Sequence, residues 1–423
     1  MKALNSSRIS GFHSLTKEER LQKVVEFCDL STDSQRQLQC ASNIPDELAD
    51  RLIENVITTI SIPIGVATNM KVDGEDVLVP MATEESSVVA AVCNAARQCY
   101  DSGGFQTSTS GSLMIAQIQL TQISSPHLAR LQIIEKEKEI KEICAKCDPI
   151  LVDLGGGLQT IEVRVLDSAS GPMVVTHLIV DVKDAMGANA VNSMAEAIAP
   201  YIEQWTGGKV YLRILSNLAD KRLARARAIW KVNDIGGPEA RDGIVSAYDF
   251  ARCDPYRATT HNKGIMNGVT AVVLATGNDT RAIESGAHAF AAKNGQYSPL
   301  THWEVTADGH LAGSIELPMA VGIIGGATKL HPTAQACLEI LGANSAEKLM
   351  RIIAAVGLAQ NFSALKALAT TGIQKGHMAL HAQNIAMLAG AVGAEIEIIA
   401  NKLVQLGKVR IDVAEQELKK IRK

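Results

Sequence analysis

Lys263 lies in the segment of this chain whose residue types most strongly suggest chemistry. The segment from 258 to 268, ATTHNKGIMNG, surrounds one lysine with small, glycine and amide residues. An ammonium group held in a partly dry pocket is a strong electrostatic donor for an oxyanion. The structural alternative is a lysine that caps a helix end, with Asn267 and Gly268 forming the turn.

Acidic residues and a histidine elsewhere strengthen the indication of chemistry. Glu84 and Glu85 come directly after a predicted strand and directly before an apolar predicted helix, 88–100. Asp279 ends the segment ATGND, and His377 follows a glycine near the C-terminus. A cation, carboxylates and an imidazole are together the groups that reduction of an acyl group with proton delivery requires.

Several long segments resemble those of class II 3-hydroxy-3-methylglutaryl-CoA reductases. The strongest matches, in chain order, are ENVI at 54–57, DAMGAN at 184–189, LSNLAD at 215–220 and HNKGIMNG at 261–268. The resemblance implies an oxidoreductase that interconverts 3-hydroxy-3-methylglutaryl-CoA and mevalonate plus CoA by two successive hydride transfers with a nicotinamide cofactor. The alternative is a non-catalytic CoA-binding or scaffold homologue, which predicts the loss of a catalytic side chain, and none is lost.

The resemblance assigns a catalytic role to each of four residues. Lys263 would stabilise the oxyanion in both hydride steps, and Glu85 would give a proton at the aldehyde stage. Asp279 would link electrostatically to both of them, and His377 would protonate the departing CoA thiolate. Two carboxylates near one cation can take different roles because their surroundings differ.

Substrate recognition, again by resemblance, centres on Arg257. Its guanidinium can pair with the free carboxylate of the acyl group in a two-pronged geometry that a lysine cannot match. Asn217 would orient the Lys263 ammonium. At His13 the chain departs from a close relative, which carries arginine near the CoA end. The further polar residues expected at the substrate are Ser87, Asn217, Asn267 and Gln360.

A Rossmann fingerprint is absent from the sequence. GGGLQT at 155–160 comes nearest, but it lacks the third glycine and leads into a predicted strand. A helix N-terminus can also bind phosphate, because its free N–H groups attract anions. DAMGAN leaves a predicted strand and enters a predicted helix, 191–201, so by pattern alone it is a tight turn. The resemblance makes it the cofactor-binding segment, through Asp184, Met186, Gly187, Ala188 and Asn189.

Asp148 bears on the choice between the two nicotinamide cofactors. In NADH-using relatives the matching acid accepts hydrogen bonds from the adenosine ribose, and a carboxylate there repels a 2′-phosphate. The resemblance therefore implies NAD(H), with NADP(H) disfavoured. The structural alternative is an acid at a helix C-terminus just before Pro149.

Composition restricts the class of protein. Of 423 residues, 47% are hydrophobic and only 4% aromatic, which is typical of cores built from Ala, Val, Ile and Leu. A net charge of −4 does not favour nucleic-acid binding. The N-terminus lacks an apolar signal segment, and no run approaches the roughly 20 apolar residues that cross a bilayer. Eight scattered cysteines indicate reduced thiols. We therefore expect a soluble, cytoplasmic protein without a membrane partner.

Two local patterns could indicate metal or redox chemistry, and the sequence favours neither. Cys144 and Cys147 have redox spacing, but they end a charged predicted helix without a second pair to complete a zinc site. His377 and His381 lie one helical turn apart, but no glutamate follows His377, so the zincin pattern fails. No metal is expected.

The order of predicted elements indicates an α+β fold. A mostly helical large domain takes residues 1–112 and 218–373, and the order βαββαβ between 113 and 217 is typical of an inserted ferredoxin-like domain. Residues 374–423 form short amphipathic helices, and the resemblance implies a flap that closes over the active site. It also implies a homodimer or higher homo-oligomer with the active site at the dimer interface. The physiological direction stays open, because both directions use the same residues.

Overall fold

The computed structural model of the protein describes residues 6–28, 30–39, 46–370 and 373–422; the side chains of 46, 50, 327 and 373–380 lie outside that description. It is a mixed helix-and-sheet structure, as the sequence predicts. One large apolar core, built mainly from Ala, Val, Ile and Leu, runs through the residues up to 365, and a second small core lies in the C-terminal helices.

The first part of the chain packs helices around a two-stranded hairpin. Thr16 followed three residues later by Glu19 predicts a capping box, and in the structure each side chain accepts a hydrogen bond from the other residue's amide. The sequence also predicts a hairpin turn at Asp73 and Gly74, which join the strands with φ of 50° and 88°. The elements are α1 Lys17–Phe27, α2 Thr32–Gln39, α3 Asp46–Leu52, β1 Ile64–Val72, β2 Glu75–Ala82, α4 Val88–Cys99 and β3 Gln106–Thr109.

The middle of the chain forms a four-stranded antiparallel sheet covered by helices. Its strand order, β5-β6-β4-β7, is the order that a βαββαβ chain adopts in the ferredoxin-like arrangement. The elements are β4 Leu113–Thr121, α5 Pro126–Glu135, α6 Glu137–Cys147, α7 Pro149–Asp153, β5 Gly157–Leu166, β6 Met173–Asp181, α8 Ala188–Thr206 and β7 Lys209–Ser216.

Two helix bounds differ from the sequence prediction. The sequence predicts a helix from 46 to 56, but this helix ends at Leu52. The predicted helix 126–146 is two helices, which meet at Lys136 because the backbone there leaves the helical region with φ −93° and ψ 9°.

The chain then returns to the large domain, where a second antiparallel sheet has the order β3-β8-β10-β9. One face of this sheet packs on α14, and Trp230 stacks on Phe362 with ring centroids 4.4 Å apart. The elements are β8 Leu223–Trp230, α9 Pro238–Cys253, α10 Pro255–Ala275, α11 Thr280–Ala291, β9 Thr301–Val305, β10 Leu311–Pro318, α12 Gly326–Leu330, α13 Pro332–Leu341 and α14 Ala346–Ala369.

Helix α14 is long and apolar enough to cross a membrane by length and composition, contrary to the sequence expectation that no segment would approach this. Within its most apolar window, however, 67% of the residues are buried inside the protein. The helix packs against α4, α9 and α10 and against the strands β3, β8 and β10. Its apolarity therefore serves the core of the large domain.

Three helices close the chain, as the glycine spacing predicts. They are α15 Ile373–Leu388, α16 Ala394–Gln405 and α17 Ile411–Ile421, separated at Gly390, Gly393 and Gly407. They share the small second core, and within the described part of the chain α15 also contacts α14.

Candidate active site

Lys263 and Glu85 form an ion pair at the surface of the large domain. The Lys263 Nζ lies 3.0 Å from Glu85 Oε2, and Asn267, one helical turn later on α10, donates to Glu85 Oε1 at 3.4 Å. The side chains remain open to solvent, with 60% of Lys263 and 41% of Glu85 exposed. The described residues of this chain therefore do not form the partly dry pocket expected for Lys263. The pair is accessible to a substrate.

Helix α10 positions Lys263, and its small residues have a packing role. Lys263 lies in the middle of this 21-residue helix, so the alternative of a lysine capping a helix end is wrong. Gly268 contacts α14, where an added Cβ would lie 3.0 Å from the Gln360 Cβ. The glycine lets two helix backbones approach closely, which explains the small residues that looked unusual around the lysine.

The residues directly before Lys263 fix α10 to the neighbouring strand. Buried His261 shares a 2.7 Å hydrogen bond with Thr301, and Asn262 donates to the Ser298 carbonyl and accepts from the Leu300 amide. Burial lowers the pKa of His261 to about 3, and the nearby Arg257 charge adds to that effect. His261 is therefore neutral at physiological pH and acts as a structural anchor. The sequence alone did not separate its role from that of the lysine.

Glu85 lies in the short connection between β2 and α4. Its amide donates to the Thr83 hydroxyl at 3.1 Å. Ser87 begins α4 with φ 74°, a left-handed conformation that is uncommon for a residue other than glycine. Its hydroxyl makes no capping hydrogen bond. Backbone strain of this kind concentrates at functional sites, and the Ser87 hydroxyl is available to a ligand.

Arg257 and Gln360 have polar groups without protein partners. In the described part of the chain no ion pair or hydrogen bond involves the Arg257 guanidinium, and burial lowers its pKa. Gln360 is buried on α14, and its Oε1 has no hydrogen-bond partner there. A buried polar atom that stays unpaired requires an explanation, and an absent ligand supplies one. Both residues fit the substrate-binding role expected from the sequence.

The structure places Asp279 and Asn217 away from direct contact with the pair. Asp279 begins α11, accepting from the Arg281 and Ala282 amides at 2.9 and 3.1 Å. Asn217 follows β7, and its carbonyl faces Gly286 of α11. Among described residues, no hydrogen bond joins either side chain to Lys263 or Glu85. The expected electrostatic links are not direct contacts within one chain.

Two further predicted residues add little geometry. His377 falls within α15, but its side chain lies outside the described residues, so its role stays a prediction. His13 lies in an exposed single turn of 3₁₀ helix, Phe12–Ser14.

Cys144 is buried, and burial raises the pKa of its thiol to about 12, which opposes a redox role for the Cys144 and Cys147 spacing.

The DAMGAN segment forms the turn that enters α8. Gly187 precedes the helix with φ 96°, and an added Cβ would lie 2.6 Å from a methyl carbon of Val182. Helix α8 has 19 residues, no side-chain cap and no acidic residue in its first turn. Its N-terminal amides are therefore free to bind an anion, as the phosphates of a dinucleotide require.

Two acids of the predicted cofactor site have structural partners. Asp184 accepts from the Ala346 amide at 2.7 Å and so ties the turn to the start of α14. Asp148 accepts from the Leu151 amide at 3.0 Å and caps the N-terminus of α7, so it does not simply end the preceding helix. The loop after α7 packs on the end of β6, because Gly156 approaches the Asp181 carbonyl. The loop after α7 thus lies beside the end of β6 from which the chain continues into the DAMGAN turn.

Arg222 is a residue of this region that the sequence did not single out. It is fully buried, and its guanidinium donates to the carbonyls of Ala185, Met186 and Val321 at 3.0, 3.3 and 2.5 Å. Burial lowers its pKa to about 10, although two nearby carboxylates oppose the shift. An arginine two residues past LSNLAD carried no local signal, because its partners are backbone atoms distant in sequence.

The fold thus places an exposed ammonium–carboxylate pair between β2 and α10, and a helix N-terminus without a side-chain cap at the start of α8. The sequence model of the family Hydroxymethylglutaryl-coenzyme A reductase matches residues 16–382. The chain is 57% identical over 417 residues to the 3-hydroxy-3-methylglutaryl-coenzyme A reductase of Archaeoglobus fulgidus, covering 99% of this chain and 95% of the relative. It is 35% identical over 400 residues to the probable reductase of Borreliella burgdorferi, with 90% and 89% covered.

Solved structures agree with these relatives. A 3-hydroxy-3-methylglutaryl-coenzyme A reductase from Streptococcus pneumoniae matches with a TM-score of 0.84 at 38% identity, covering 97% of this chain and 99% of the other. The class II enzyme of the same organism, bound to NADPH in open conformations, matches with a TM-score of 0.82 at 38% identity, covering 97% and 100%. The chain therefore belongs to the hydroxymethylglutaryl-coenzyme A reductase family, and the resemblance found in the sequence is confirmed.

Proposed function

We propose that this protein interconverts 3-hydroxy-3-methylglutaryl-CoA and mevalonate plus CoA, using two equivalents of a nicotinamide dinucleotide. The ion pair between Lys263 and Glu85 carries the proposal, because it sets an oxyanion donor and a proton-transferring carboxyl group 3.0 Å apart at an accessible surface. Family membership over nearly the whole chain supports the same activity.

In the reducing direction the reaction balances in two stages. The first hydride adds to the thioester carbon and leaves a negatively charged oxygen; collapse of this species breaks the C–S bond, and the CoA thiolate takes up a proton. The second hydride adds to the aldehyde carbon, and the resulting alkoxide takes up a second proton to give mevalonate. Two reduced dinucleotides are oxidised, and two protons are consumed.

Both hydride additions place charge on the same oxygen, so one cation can serve both stages. Lys263 stabilises that oxyanion, as a fixed positive donor does best when water is excluded. Glu85, in its protonated form, donates to the alkoxide at the aldehyde stage, and Asn267 holds its other oxygen. Asp279 acts on the pair through its charge, and His377 protonates the thiolate at the first stage only.

Four further residues with uncommitted polar groups would bind the acyl portion of the substrate. Arg257 has no carboxylate partner in the described part of the chain, which suits it to bind the free carboxylate of the substrate. Gln360 offers the unpaired Oε1, Ser87 an uncommitted hydroxyl and Asn217 a side-chain amide. The 3-hydroxy-3-methylglutaryl group presents one carboxylate and one hydroxyl for these donors and acceptors.

The Asp184–Asn189 turn fits a dinucleotide, because α8 is a long helix whose N-terminal amides have no side-chain cap. Gly187, directly before the helix, packs closely on Val182. A bound nicotinamide supplies the hydride chemistry. We propose NAD(H) as the preferred cofactor, since the Asp148 carboxylate, with one oxygen engaged in capping α7, would repel a 2′-phosphate. The Streptococcus pneumoniae enzyme bound to NADPH argues the other way, so coenzyme choice must be measured on this protein.

We further propose a cytoplasmic homo-oligomer in which a second copy covers the open site. The segment from 53 to 63 has no helix or strand and exposes several isoleucines; Ile57 is 96% exposed and Ile60 88%. An exposed apolar segment of this size is typical of an interface. Covering Lys263 and Glu85 by a second copy would also dry the pair.

Turnover by the purified protein tests the proposed function. We expect 3-hydroxy-3-methylglutaryl-CoA to be consumed with two reduced coenzymes oxidised and one free CoA thiol released per mevalonate formed. Mevaldehyde should be reduced with one coenzyme oxidised and no thiol released. Binding of the acyl-CoA without either turnover, at any tested coenzyme, would support a CoA-binding homologue and contradict the proposal.

A further inference from the structure

The buried cation at Arg222 joins the DAMGAN turn to a loop of the large domain. Arg222 lies just before β8, on the large-domain side of the junction, and each of its three hydrogen bonds goes to a backbone carbonyl. Its Nε has no partner in the described residues. No carboxylate binds it directly. A buried charge held only by neutral carbonyls is costly, so it is expected to perform a task there.

The partner loop is fitted to the turn by backbone contacts. The Ile323 amide donates to the Asp184 carbonyl at 2.9 Å, and Ala185 and Ile324 form a parallel bridge. Gly322 has no side chain at the closest point, where an added Cβ would collide with the Met186 amide nitrogen. Arg222 binds both sides of this junction and so fixes the position of the turn.

The same loop reaches the catalytic segment. The Gly322 amide donates to Asn278 Oδ1 at 2.8 Å, and Asn278 directly precedes Asp279 at the start of α11. The turn that enters α8 and the acid expected to act on Lys263 are thereby connected through a single loop. A shift of the turn would therefore also move the start of α11 at Asp279.

Two of the carbonyls that Arg222 binds belong to the peptides that lead directly into α8. The Ala185 carbonyl shares a peptide with the Met186 amide, and the Met186 carbonyl shares one with the Gly187 amide. A hydrogen bond from a cation to a peptide oxygen polarises the N–H of the same peptide and makes it a better donor. The guanidinium therefore polarises the Met186 and Gly187 amides and adds positive charge next to the N-terminus of α8.

We propose that Arg222 is a positioning residue for the dinucleotide: it holds and polarises the Ala185–Gly187 turn from behind, through the main chain, without touching the cofactor. The inference rests on the proposed function, because it takes the turn to be the dinucleotide site. It predicts a defect in coenzyme binding that spares acyl-CoA binding.

The test compares Arg222→Met and Arg222→Lys with the wild type by titration of NADH, and separately NADPH, without acyl-CoA. Arg222→Met should raise the dissociation constant of the better coenzyme about 10-fold to 100-fold, the range for loss of a hydrogen bond from a charged donor. Arg222→Lys should recover part of this loss, because it keeps the charge but not the planar fork. The KM for 3-hydroxy-3-methylglutaryl-CoA should change less than about twofold, a split that general loosening of the fold would not produce.

Arg225→Met provides the matched control. Arg225 lies on β8 three residues later, pairs with Glu316 and does not contact the turn, so coenzyme binding should be unchanged. If Arg222→Met does not fold, Gly322→Ala displaces the turn from its other side and should give the same selective coenzyme defect. Wild-type coenzyme affinity in Arg222→Met, or in Gly322→Ala where that variant stands in for it, would overturn the proposal. Failure of the wild type to bind either coenzyme would instead overturn the proposed function.

Discussion

The two halves of the candidate site are held in opposite ways. On the open half, Lys263 and Glu85 are exposed side chains joined by one ion pair, and Asn267 donates one hydrogen bond to Glu85. On the rigid half, the DAMGAN turn is fixed by main-chain hydrogen bonds, a buried guanidinium and two close glycine contacts. An exposed ion pair contributes only about 0–1 kcal/mol to stability, so its partners can be exchanged at little cost. In the proposed reaction, the groups that change partner would lie on the open half and the groups that hold the cofactor on the rigid half.

The exposure of Lys263 and Glu85 to water also bears on how the proposed reaction could proceed. A donor to an oxyanion works best where water is excluded, yet 60% of the Lys263 side chain is exposed. Under the proposed function, the three C-terminal helices or a second copy of the chain would exclude this water. The rigid half needs no such closure, because its donors are already fixed in the fold.

Removal of the ammonium from the open half should have the largest effect. Lys263→Ala is expected to lower kcat/KM on both 3-hydroxy-3-methylglutaryl-CoA and mevaldehyde by roughly 10²-fold to 10³-fold, the cost of losing one fixed oxyanion donor. Stability should change little, because the pair is exposed. Lys293→Ala, an exposed lysine beside Phe290 on the same domain, is the control. Near-wild-type turnover of either substrate by Lys263→Ala would show that the open half is not the reaction centre.

A change on the rigid half should instead act through coenzyme binding. Gly187→Ala places a methyl group against Val182 at a φ of 96°, so we expect coenzyme affinity to fall roughly 10-fold to 100-fold, the equivalent of about 1–3 kcal/mol of backbone strain. Gly171→Ala has a similar φ of 105° but meets nothing within 4 Å, and it should bind coenzyme normally. Equal behaviour of the two variants would indicate that the turn is not a tight cofactor cradle.

The anchor beneath Lys263 should give the protein an acid-sensitive stability. Burial holds the pKa of folded His261 near 3, whereas an unfolded histidine titrates near about 6.5. Between these values only the unfolded chain binds the proton. The contribution of neutral His261 to the free energy of unfolding is therefore complete above about pH 6.5 and falls as the pH drops towards 3. At pH 5 the loss is about 2 kcal/mol.

Denaturant unfolding of the wild type and His261→Gln at pH 7 and pH 5 measures this contribution. The loss of unfolding free energy between the two pH values should be smaller in His261→Gln by about 2 kcal/mol. Identical losses would show that His261 is not the group responsible. The result also tests whether the residues beside Lys263 are structural.

The smallest expected effect concerns coenzyme choice at the rigid half. A carboxylate at Asp148 should favour NADH over NADPH by on the order of 1–3 kcal/mol in kcat/KM. Asp148→Asn keeps a residue that caps α7 well but removes the charge, so it should narrow that preference without loss of stability. Asp148→Ala removes the cap as well and should cost about 1 kcal/mol more in stability. Equal use of the two coenzymes by the wild type would refute the assignment.

The sequence predicted most elements whose signals are local. The capping box at Thr16, the hairpin at Asp73 and the antiparallel βαββαβ order all depend on residues close together in the chain, and the structure has them. Strand β8 and the 21-residue extent of α10 were not predicted. The strand LARARAIW alternates small and charged residues, and its burial comes from a partner sheet far along the chain.

The site was predicted by composition more than by geometry. The small residues around Lys263 suggested a catalytic pocket, but Gly268 serves the crossing with α14, while the lysine side chain projects to Glu85. Arg222 escaped notice, because its carbonyl partners at 185, 186 and 321 have no sequence signature. The main-chain contacts that hold the rigid half could be found only from the structure.

The most direct test of the open half is a paired assay of Glu85→Gln and His377→Gln on 3-hydroxy-3-methylglutaryl-CoA and on mevaldehyde. Glu85→Gln should impair mevaldehyde reduction by roughly 10² to 10⁴-fold, because an amide cannot supply the proton that the alkoxide needs. His377→Gln should lose a similar factor on the thioester but largely spare mevaldehyde, where no thiolate leaves. Glu85→Gln with unimpaired mevaldehyde reduction would contradict the assignment of the proton donor at the Lys263–Glu85 pair, and equal losses of His377→Gln on both substrates would contradict its leaving-group role.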